Sequence, residues 1–302
     1  GRYWRKNTNQ DHCGRSSRGV DLNRNFSFAW NCCGGSSGRE CSSTYRGPSP
    51  ASEPETLAIQ DYLVSQFTDW REPELDAASP LDADGVYIDI HSYSELVLWP
   101  WGFEGKAPNE FGLATLGRKL AWFNGYDPIQ AVELYPTDGT TDDFVYGELG
   151  IAAYTFELGT EFFQSCNVFE NEILPDNLPA LLYAAKTASA PYMWPKGPDT
   201  SEVSATTDDR STAVLTATIT SVRDGSSTPV VEAEAYVGTP PWDDSAPAPI
   251  ALNAVDSIFD SQTEYVTGTL RDFPPGRTII YVRGRDADGD WGVVSATFLE
   301  VE

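Results

Sequence analysis

The segment Ala153-Tyr154-Thr155-Phe156-Glu157-Leu158-Gly159 predicts a short buried strand that carries a carboxylate at its far end. Its apolar and aromatic residues stand between Gly150 and Gly159, a pattern typical of a strand in the core of a sheet. Carboxylates are rarely buried unless they are paired or bind something. Glu157 is therefore either a strand-end side chain that reaches solvent or a general base at the carboxyl edge of a sheet, where open α/β folds place their chemistry.

The composition of the whole chain indicates a globular protein with two domains. It has 302 residues, of which 40% are hydrophobic and 12% aromatic. Its 45 acidic and 20 basic residues give a formal net charge of -25, which would repel nucleic acids and anionic membranes. No apolar run is long enough to span a bilayer. The excess of acidic residues suits a secreted or salt-tolerant protein whose partners are neither nucleic acid nor membrane.

The cysteines indicate disulfide-bonded loops of the kind found in exported proteins. The five cysteines are Cys13, Cys32, Cys33, Cys41 and Cys166. All of them except Cys166 lie in a Gly/Ser-rich stretch. We expect Cys13 or one member of the Cys32/Cys33 pair to bond to Cys41, with Cys166 as a partner for the other member. A zinc cluster is not favoured, because no C-x-x-C spacing occurs.

Helical and strand patterns alternate through the first two thirds of the chain. Ser52-Glu53-Pro54-Glu55 has the form of a capping box that opens an amphipathic helix through Leu57, Ile59, Tyr62, Leu63 and Phe67. Further helices are predicted at about 109–123, 141–148 and 177–188, and strands at about 86–90, 96–99, 131–134 and 153–159. This alternation predicts an α/β domain with a mixed, twisted sheet flanked by helices.

The pattern changes near Pro195-Lys196-Gly197-Pro198-Asp199, which is typical of a linker. Beyond it the helical periodicity is lost, and alternating segments predict strands at about 213–221, 230–237, 263–270, 278–283 and 293–301. Turn residues separate these segments at regular spacing, which predicts a small all-β sandwich. We therefore expect domains at residues 1–196 and 197–302.

Several segments in the first domain resemble, in order, the zinc metallocarboxypeptidases of the pancreatic A/B type, particularly secreted bacterial members. They are Arg2-x-Trp4-Arg5-Lys6, residues 19–26 (GVDLNRNF), residues 44–48 (TYRGP), residues 52–56 (SEPET), residues 90–93 (IHSY), residues 135–139 (YPTDG) and residues 155–158 (TFEL). The resemblance covers about residues 1–190. It implies a secreted, zinc-dependent exopeptidase that removes single residues from peptide or protein C-termini. The trailing β domain resembles the immunoglobulin-like accessory domain of some bacterial members.

The resemblance also implies roles for the residues that would carry out the chemistry. Glu157 would be the general base, and Arg5 would stabilise the oxyanion that develops at the scissile carbonyl. His91 would bind zinc through a neutral ring nitrogen, the form in which histidine acts as a ligand. Asp21 would fix the tautomer of a ligating histidine.

Substrate recognition is assigned by the same resemblance. Asn23 and Arg24 would hold the terminal carboxylate, because the planar guanidinium binds a carboxylate with two parallel hydrogen bonds. Tyr135 would close over the substrate. Arg2, Arg5 and Arg24 would make the cleft locally positive, although the chain as a whole carries a net negative charge.

Two interpretations of Asp142 stay open, and one of them makes it the residue that sets substrate specificity. Asp142 matches a position that lines the specificity pocket, where a carboxylate favours a C-terminal Arg or Lys. The segment Thr141-Asp142-Asp143 is equally typical of a helix N-terminus. Gly102 and Gln130, which also resemble pocket positions, do not decide between the two, and a mixed basic and apolar preference is expected.

The sequence departs from the family in one respect. The family has a His-x-x-Glu motif that supplies two further zinc ligands, and this motif does not occur in the sequence. One histidine cannot hold a catalytic zinc, which takes three protein ligands. The resemblance therefore implies an N-terminally truncated carboxypeptidase fold, and we expect no tightly bound zinc and no activity from this polypeptide alone. The alternative is a non-catalytic protein that binds C-terminal carboxylates or has a structural or assembly role. Retention of Glu157, Arg5 and Tyr135 together favours the enzyme.

Overall fold

The fold is given by a computed structural model that describes residues 3–14, 16–207, 211–225, 228–271 and 273–301. The chain divides into two units, Gly1–Tyr192 and Met193–Glu302. Within the described ranges, none of the helices combines the length and the apolar character that crossing a membrane requires.

The first unit is built on one mixed sheet. Its strands are β1 (Val86–His91), β2 (Leu96–Trp99), β3 (Asp127–Gln130) and β4 (Ala152–Glu157), in the spatial order β1-β4-β2-β3. β1 is parallel to β4, whereas β2 is antiparallel to β4 and parallel to β3. The β1/β4 register sets His91 opposite Glu157. Both side chains therefore stand at the same edge of the sheet, where the two strands end.

Helices cover both faces of this sheet. They are α1 (Pro54–Gln66), α2 (Glu110–Asn124), α3 (Ala131–Leu134), α4 (Thr141–Leu149), α5 (Cys166–Val168) and α6 (Leu174–Thr187), with a π-helical turn at Phe169–Ile173 and a 3-10 turn at Leu22–Arg24. On one face, the Tyr154 hydroxyl of β4 donates a hydrogen bond to the Leu113 carbonyl of α2 at 2.9 Å. On the other face, the Thr155 hydroxyl donates to Asp142 of α4. The strand residues thus alternate between the two helical layers, and the fully buried Phe156 adds about 2 kcal/mol of hydrophobic stabilisation.

Most predicted elements of this unit are present, but the strand predicted at residues 131–134 and the predicted capping box are not. Residues 131–134 form the short helix α3, and the strand precedes it at residues 127–130. The segment Ala-Val-Glu-Leu is too short for its pattern to distinguish a strand from a helix, and the residues that pair with β2 are 127–130. The predicted capping box is also absent, because Ser52 Oγ accepts from Asn25 Nδ2 at 3.0 Å and donates to Glu53.

Only part of the predicted apolar face of α1 is buried. Leu63 is buried, whereas Leu57, Ile59 and Tyr62 are 47%, 45% and 60% exposed. The predicted apolar face is therefore wrong for these three side chains, since only the side of α1 that carries Leu63 and Thr56 packs against this unit.

The second unit contains two antiparallel sheets around a shared apolar core. The strands are β5 (Asp199–Thr207), β6 (Thr212–Thr220), β7 (Val230–Val237), β8 (Ile250–Ala251), β9 (Asn253–Ala254), β10 (Thr263–Arg271), β11 (Gly276–Asp286) and β12 (Ser295–Val301). Their orders are β5-β6-β10-β9 and β12-β11-β7-β8. Alternate residues such as Leu215, Ile219, Ile280 and Val282 point into the core. The all-β expectation is confirmed for this unit, whereas its likeness to an immunoglobulin domain stays a prediction.

The disulfides differ in part from the expected pairing. Cys13 bonds to Cys41, one of the predicted alternatives. Cys32 and Cys33 bond to each other, and Cys166 is a free, exposed thiol at the start of α5. The predicted link to Cys166 is therefore wrong, because the adjacent pair already satisfies itself.

Candidate active site

A cleft of ≈ 280 Å³ opens at the edge of the sheet where β1 and β4 end. The predicted site residues that line it are Arg5, Asn23, Arg24, His91, Tyr135, Asp142 and Glu157. Asp21 lies behind Arg5 and binds it, and Arg2 falls outside the described residues. His91 and Glu157, which are 66 positions apart in the chain, thus meet at one edge, as expected for the carboxyl ends of two neighbouring parallel strands.

Glu157 is partly buried at the end of β4. Burial raises the pKa of Glu157, although the nearby charges of His91 and Arg5 oppose the increase. A carboxylate with a raised pKa is a stronger base, which suits removal of a proton from water near neutral pH.

Arg5 is held in place by the buried Asp21. Arg5 Nε donates a hydrogen bond to Asp21 Oδ2 at 2.8 Å, while 47% of the arginine side chain stays exposed. The ion pair fixes one edge of the guanidinium and leaves the rest available to a developing negative charge in the cleft. Arg5 is thus a hydrogen-bond partner of Asp21, and a contact of Asp21 with a zinc-ligating histidine stays a prediction.

Arg24 and Asn23 form an anion-binding corner. Arg24 is only 3% exposed, yet it lines the cleft. Its Nη1 donates to the Asn23 carbonyl, whereas its Nε has no hydrogen-bond partner among the described residues. A guanidinium that is nearly buried and lines a cleft is poorly solvated by water, and an anion bound in the cleft would offset its charge. The corner therefore fits a carboxylate.

A tight turn brings Tyr135 to the mouth of the cleft. Gly139 has φ +66°, and a Cβ at this position would lie 2.7 Å from the Arg24 carbonyl oxygen. Only glycine combines this conformation with so close an approach. The Gly139 carbonyl accepts from the Phe26 backbone N–H at 3.1 Å, which ties the turn to the segment that carries Arg24. Tyr135 is 48% exposed, so its ring can move against a bound ligand.

His91 takes part in a hydrogen-bond network that the sequence interpretation missed. His91 Nε2 lies 3.0 Å from Asp89 Oδ2, and this carboxylate also accepts from Thr141 Oγ1 at 2.6 Å. Burial lowers the pKa of His91, but the hydrogen bond and charge of Asp89 outweigh it and raise the pKa overall. Asp89 could have been found from the two-residue period of β1, since Asp89 and His91 must share one face.

Asp142 and Asp143 are both buried at the start of α4, but they contact different groups. Both oxygens of Asp143 accept from the Gly102 backbone N–H, at 3.0 and 3.2 Å. Asp142 accepts from the Asp143 N–H at 3.0 Å and from the Thr155 hydroxyl at 3.3 Å, and it faces the cleft. Burial raises the pKa of both carboxyls, most strongly that of Asp143, where the neighbouring Asp142 adds to the effect.

Gln130 does not offer its amide nitrogen to the cleft. Its Nε2 donates to the Trp101 carbonyl at 3.1 Å. Gly102 is likewise engaged through its N–H with Asp143. Neither Gln130 nor Gly102 is among the residues that line the cleft, whereas Asp142 is.

We expect Asp142→Asn to stabilise the protein at neutral pH. Because burial raises the folded-state pKa of Asp142, the folded state binds a proton more tightly than the unfolded chain does. Stability from this group is therefore lost as pH rises through the raised pKa, and a neutral amide avoids the loss. Urea unfolding near neutral pH should show a gain of about 1 kcal/mol that shrinks as the pH falls towards the ordinary pKa range of an aspartate. Exposed Asp61→Asn is the control, and a gain that does not shrink as the pH falls would contradict the prediction.

A zinc site is not complete among these residues. His91 is one imidazole donor at the cleft, but within the described parts of the chain no three His, Cys, Asp or Glu side chains come together as a metal site. Because catalytic zinc takes three protein ligands, the residues present do not by themselves fit the ion.

Comparison with known proteins places the first unit among carboxypeptidases. Residues 1–178 match the family model described as zinc carboxypeptidase. The chain is 36% identical to carboxypeptidase B of Bos taurus over 166 residues, which cover 52% of this chain and 36% of that protein. It is 31% identical to carboxypeptidase B of Astacus astacus over 188 residues, which cover 58% of this chain and 55% of that protein. The chain thus spans between a third and just over half of these relatives.

Solved structures give the same result for the fold. The crystal structure of carboxypeptidase A from Helicoverpa armigera matches 62% of this chain and 46% of its own, with 25% identity and a TM-score of 0.50. Thrombin activatable fibrinolysis inhibitor matches with 27% identity, the same coverage and a TM-score of 0.50.

Proposed function

The chain belongs to the zinc carboxypeptidase family, and from that premise we propose that it forms part of an exopeptidase that removes single residues from peptide C-termini. The observation that carries the proposal is the position of Arg24. This buried guanidinium has an unused donor and lines the same cleft as Glu157. A site that binds a free carboxylate beside a general base can select the terminal peptide bond, because the charge of the terminus fixes which carbonyl meets the base.

Glu157 is proposed as the general base. Its carboxylate would take a proton from the attacking water as the new C–O bond forms at the carbonyl carbon. It would return that proton to the leaving amine as the tetrahedral intermediate collapses and the peptide C–N bond breaks. Arg5 would stabilise the oxyanion that develops on the carbonyl oxygen, since Asp21 holds its guanidinium at the cleft before substrate arrives.

Substrate binding is proposed for the anion corner and the turn beside it. Asn23 and Arg24 would bind the terminal carboxylate, and Tyr135 would cover the bound residue. Arg2, which matches the family's pattern in sequence, is proposed to add positive charge at the same site.

Asp142 is proposed as the specificity residue. Its carboxylate is buried and faces the cleft, and it accepts hydrogen bonds from the Asp143 N–H and the Thr155 hydroxyl. A guanidinium or ammonium group would supply a counter-charge that these neutral donors do not. We therefore propose a preference for C-terminal Arg or Lys, with some tolerance of apolar residues.

Zinc is the cofactor that the family implies, and His91 is the residue of this chain proposed to bind it. When bound, zinc would activate water and polarise the scissile carbonyl. Extracellular location is proposed as well, because the Cys13–Cys41 disulfide is of a kind that persists in oxidising compartments.

The proposal is tested by digesting peptides that end in Arg, Lys, Leu or Phe with a peptidase-active polypeptide that contains this chain. We expect release of single C-terminal residues, loss of release with a chelator, and no cleavage of C-terminally amidated peptides. Asp142→Asn should lower kcat/KM for Arg and Lys about 10²-fold and leave that for Leu nearly unchanged. Release that survives chelation would refute the zinc mechanism, and an equal loss for Leu would refute the role of Asp142.

A second candidate function is carboxylate binding without hydrolysis. It is favoured for the isolated chain by the incomplete metal site among its described residues. Such a protein needs Asn23 and Arg24 but has no use for a general base. Binding of a peptide that ends in a free carboxylate, with no product formed in the presence of added zinc, would support it.

A further inference from the structure

The network around His91 contains more than a single ion pair. Asp89 and His91 lie two residues apart on β1, so that both side chains stand on the face that α4 covers. Asp89 Oδ2 approaches His91 Nε2 to 3.0 Å and Thr141 Oγ1 to 2.6 Å. An ionised carboxylate only accepts hydrogen bonds, and therefore both neighbours must donate to it.

This requirement decides which ring nitrogen of His91 carries the proton. Nε2 must be the protonated nitrogen if it donates to Asp89. Asn23 Nδ2 lies 3.5 Å from the same nitrogen, at the limit of hydrogen bonding, and is itself a donor. In the neutral ring Nδ1 then keeps its lone pair, and Nδ1 has no hydrogen bond within the described residues.

Thr141 links this pair to the anion corner. Its backbone N–H donates to Asn23 Oδ1 at 2.9 Å, while its hydroxyl has one proton and a shorter contact to Asp89 than to Asn23. A charged acceptor at 2.6 Å is preferred to a neutral one at 2.9 Å. The hydroxyl thus points at Asp89, and the backbone of Thr141 is anchored by Asn23.

We propose that Asp89 and Thr141 are positioning residues for His91: Asp89 holds the ring as the Nε2–H tautomer with the Nδ1 lone pair available at the cleft, and Thr141 fixes Asp89. The importance of that lone pair for catalysis rests on the proposed exopeptidase function, whereas the tautomer itself does not. Because Asn23 anchors Thr141, the residue proposed to bind the substrate carboxylate belongs to the network that orients the imidazole.

The chain offers a direct test, because it has only two histidines, His12 and His91. In the His12→Gln variant labelled with ¹⁵N-histidine, NMR should show one imidazole with protonated Nε2 and unprotonated Nδ1 at a pH where the ring is neutral. Asp89→Ala should lower the ratio of Nε2–H to Nδ1–H tautomer about tenfold or more, as expected for loss of a hydrogen bond to a charged acceptor. Exposed Asp82→Ala is the matched control and should leave the ratio unchanged.

Thr141 is tested with a pair of variants. Thr141→Val should shift the ratio in the same direction as Asp89→Ala, whereas Thr141→Ser keeps the hydroxyl and should restore the wild-type ratio. In the Asp89→Ala background, Thr141→Val should have no further effect, because Thr141 acts through Asp89. An Nδ1–H tautomer in the His12→Gln protein, or a ratio that Asp89→Ala does not change, would overturn the proposal. Since no peptide is hydrolysed in these measurements, failure of the exopeptidase function would leave their outcome unaffected.

Discussion

Replacing Glu157 with Gln is expected to lower kcat about 10²- to 10⁴-fold in a peptidase-active polypeptide that contains this chain. The amide keeps the shape of the side chain but cannot accept the proton of the attacking water. Substrate contacts at Arg24 and Asn23 are untouched, and KM should change far less than kcat. Single-turnover hydrolysis of a peptide that ends in Arg measures the chemical step directly.

The pH dependence of kcat/KM provides an independent check on the same residue. Because burial raises the pKa of Glu157, its base form is lost as pH falls through a value above the ordinary range of a glutamate. The acid limb of the profile should lie correspondingly high, and Glu157→Gln should remove it from the residual activity. Glu170→Gln changes an exposed carboxylate on the π-helical turn and serves as the control. If Glu157→Gln kept more than about a tenth of wild-type kcat, Glu157 would not be the base.

The sheet edge that carries His91 and Glu157 could be predicted from the sequence, because both residues stand at the ends of predicted strands. The sequence predicts one strand that runs into His91 and one that carries Glu157 at its end, both placed at the carboxyl edge of the sheet. The structure confirms the strands and pairs these two residues. The resemblance to carboxypeptidases then brought in Arg5, Asn23 and Arg24, which no local pattern would have linked to that edge.

Other features depend on contacts between distant segments, and the sequence did not reveal them. Ser52 has the residue type and spacing of a helix cap, but Asn25, from a segment far away in the chain, engages it instead. Residues 131–134 carry an apolar pattern that suits a strand as well as a helix, and only the pairing of β3 with β2 resolves it. Local propensity decides such cases only where no tertiary partner competes for the same groups.

The Asp89–His91–Thr141 network belongs to this second group. The sequence shows that Asp89 and His91 share a face of a strand, but not that Thr141 of α4 comes within 2.6 Å of the same carboxylate. The contact of Asp21 with Arg5 at 2.8 Å is likewise one that the sequence did not reveal. The residue types show only that Asp89 and Asp21 can accept hydrogen bonds. Which donors reach these two carboxylates depends on how α4 and the 3-10 turn pack in the fold.

Arg24→Lys is expected to weaken binding of a C-terminal carboxylate about ten- to hundredfold while leaving the charge in place. Lysine offers a point charge at the end of a flexible chain, and it cannot reproduce two parallel hydrogen bonds from a buried, planar group. The effect can be measured on the 302-residue chain itself by calorimetry with N-acetyl-glycyl-arginine, since binding requires no hydrolysis. The amidated peptide should bind weakly to both proteins, so the variant should lose most of the preference for the free acid.

Two comparisons separate this role from a general effect on the fold. Arg118→Lys alters an exposed guanidinium on α2 and should leave both affinities unchanged. Since Arg24 Nε has no partner among the described residues, substitution removes few internal hydrogen bonds, and the thermal midpoint should fall only slightly. If the affinity for the amide fell as much as that for the acid, Arg24 would be a structural residue and the anion corner would not recognise the terminus. Equal binding of the two peptides by the wild-type chain would lead to the same conclusion, because a buried guanidinium that recognises the terminal charge must distinguish a carboxylate from an amide.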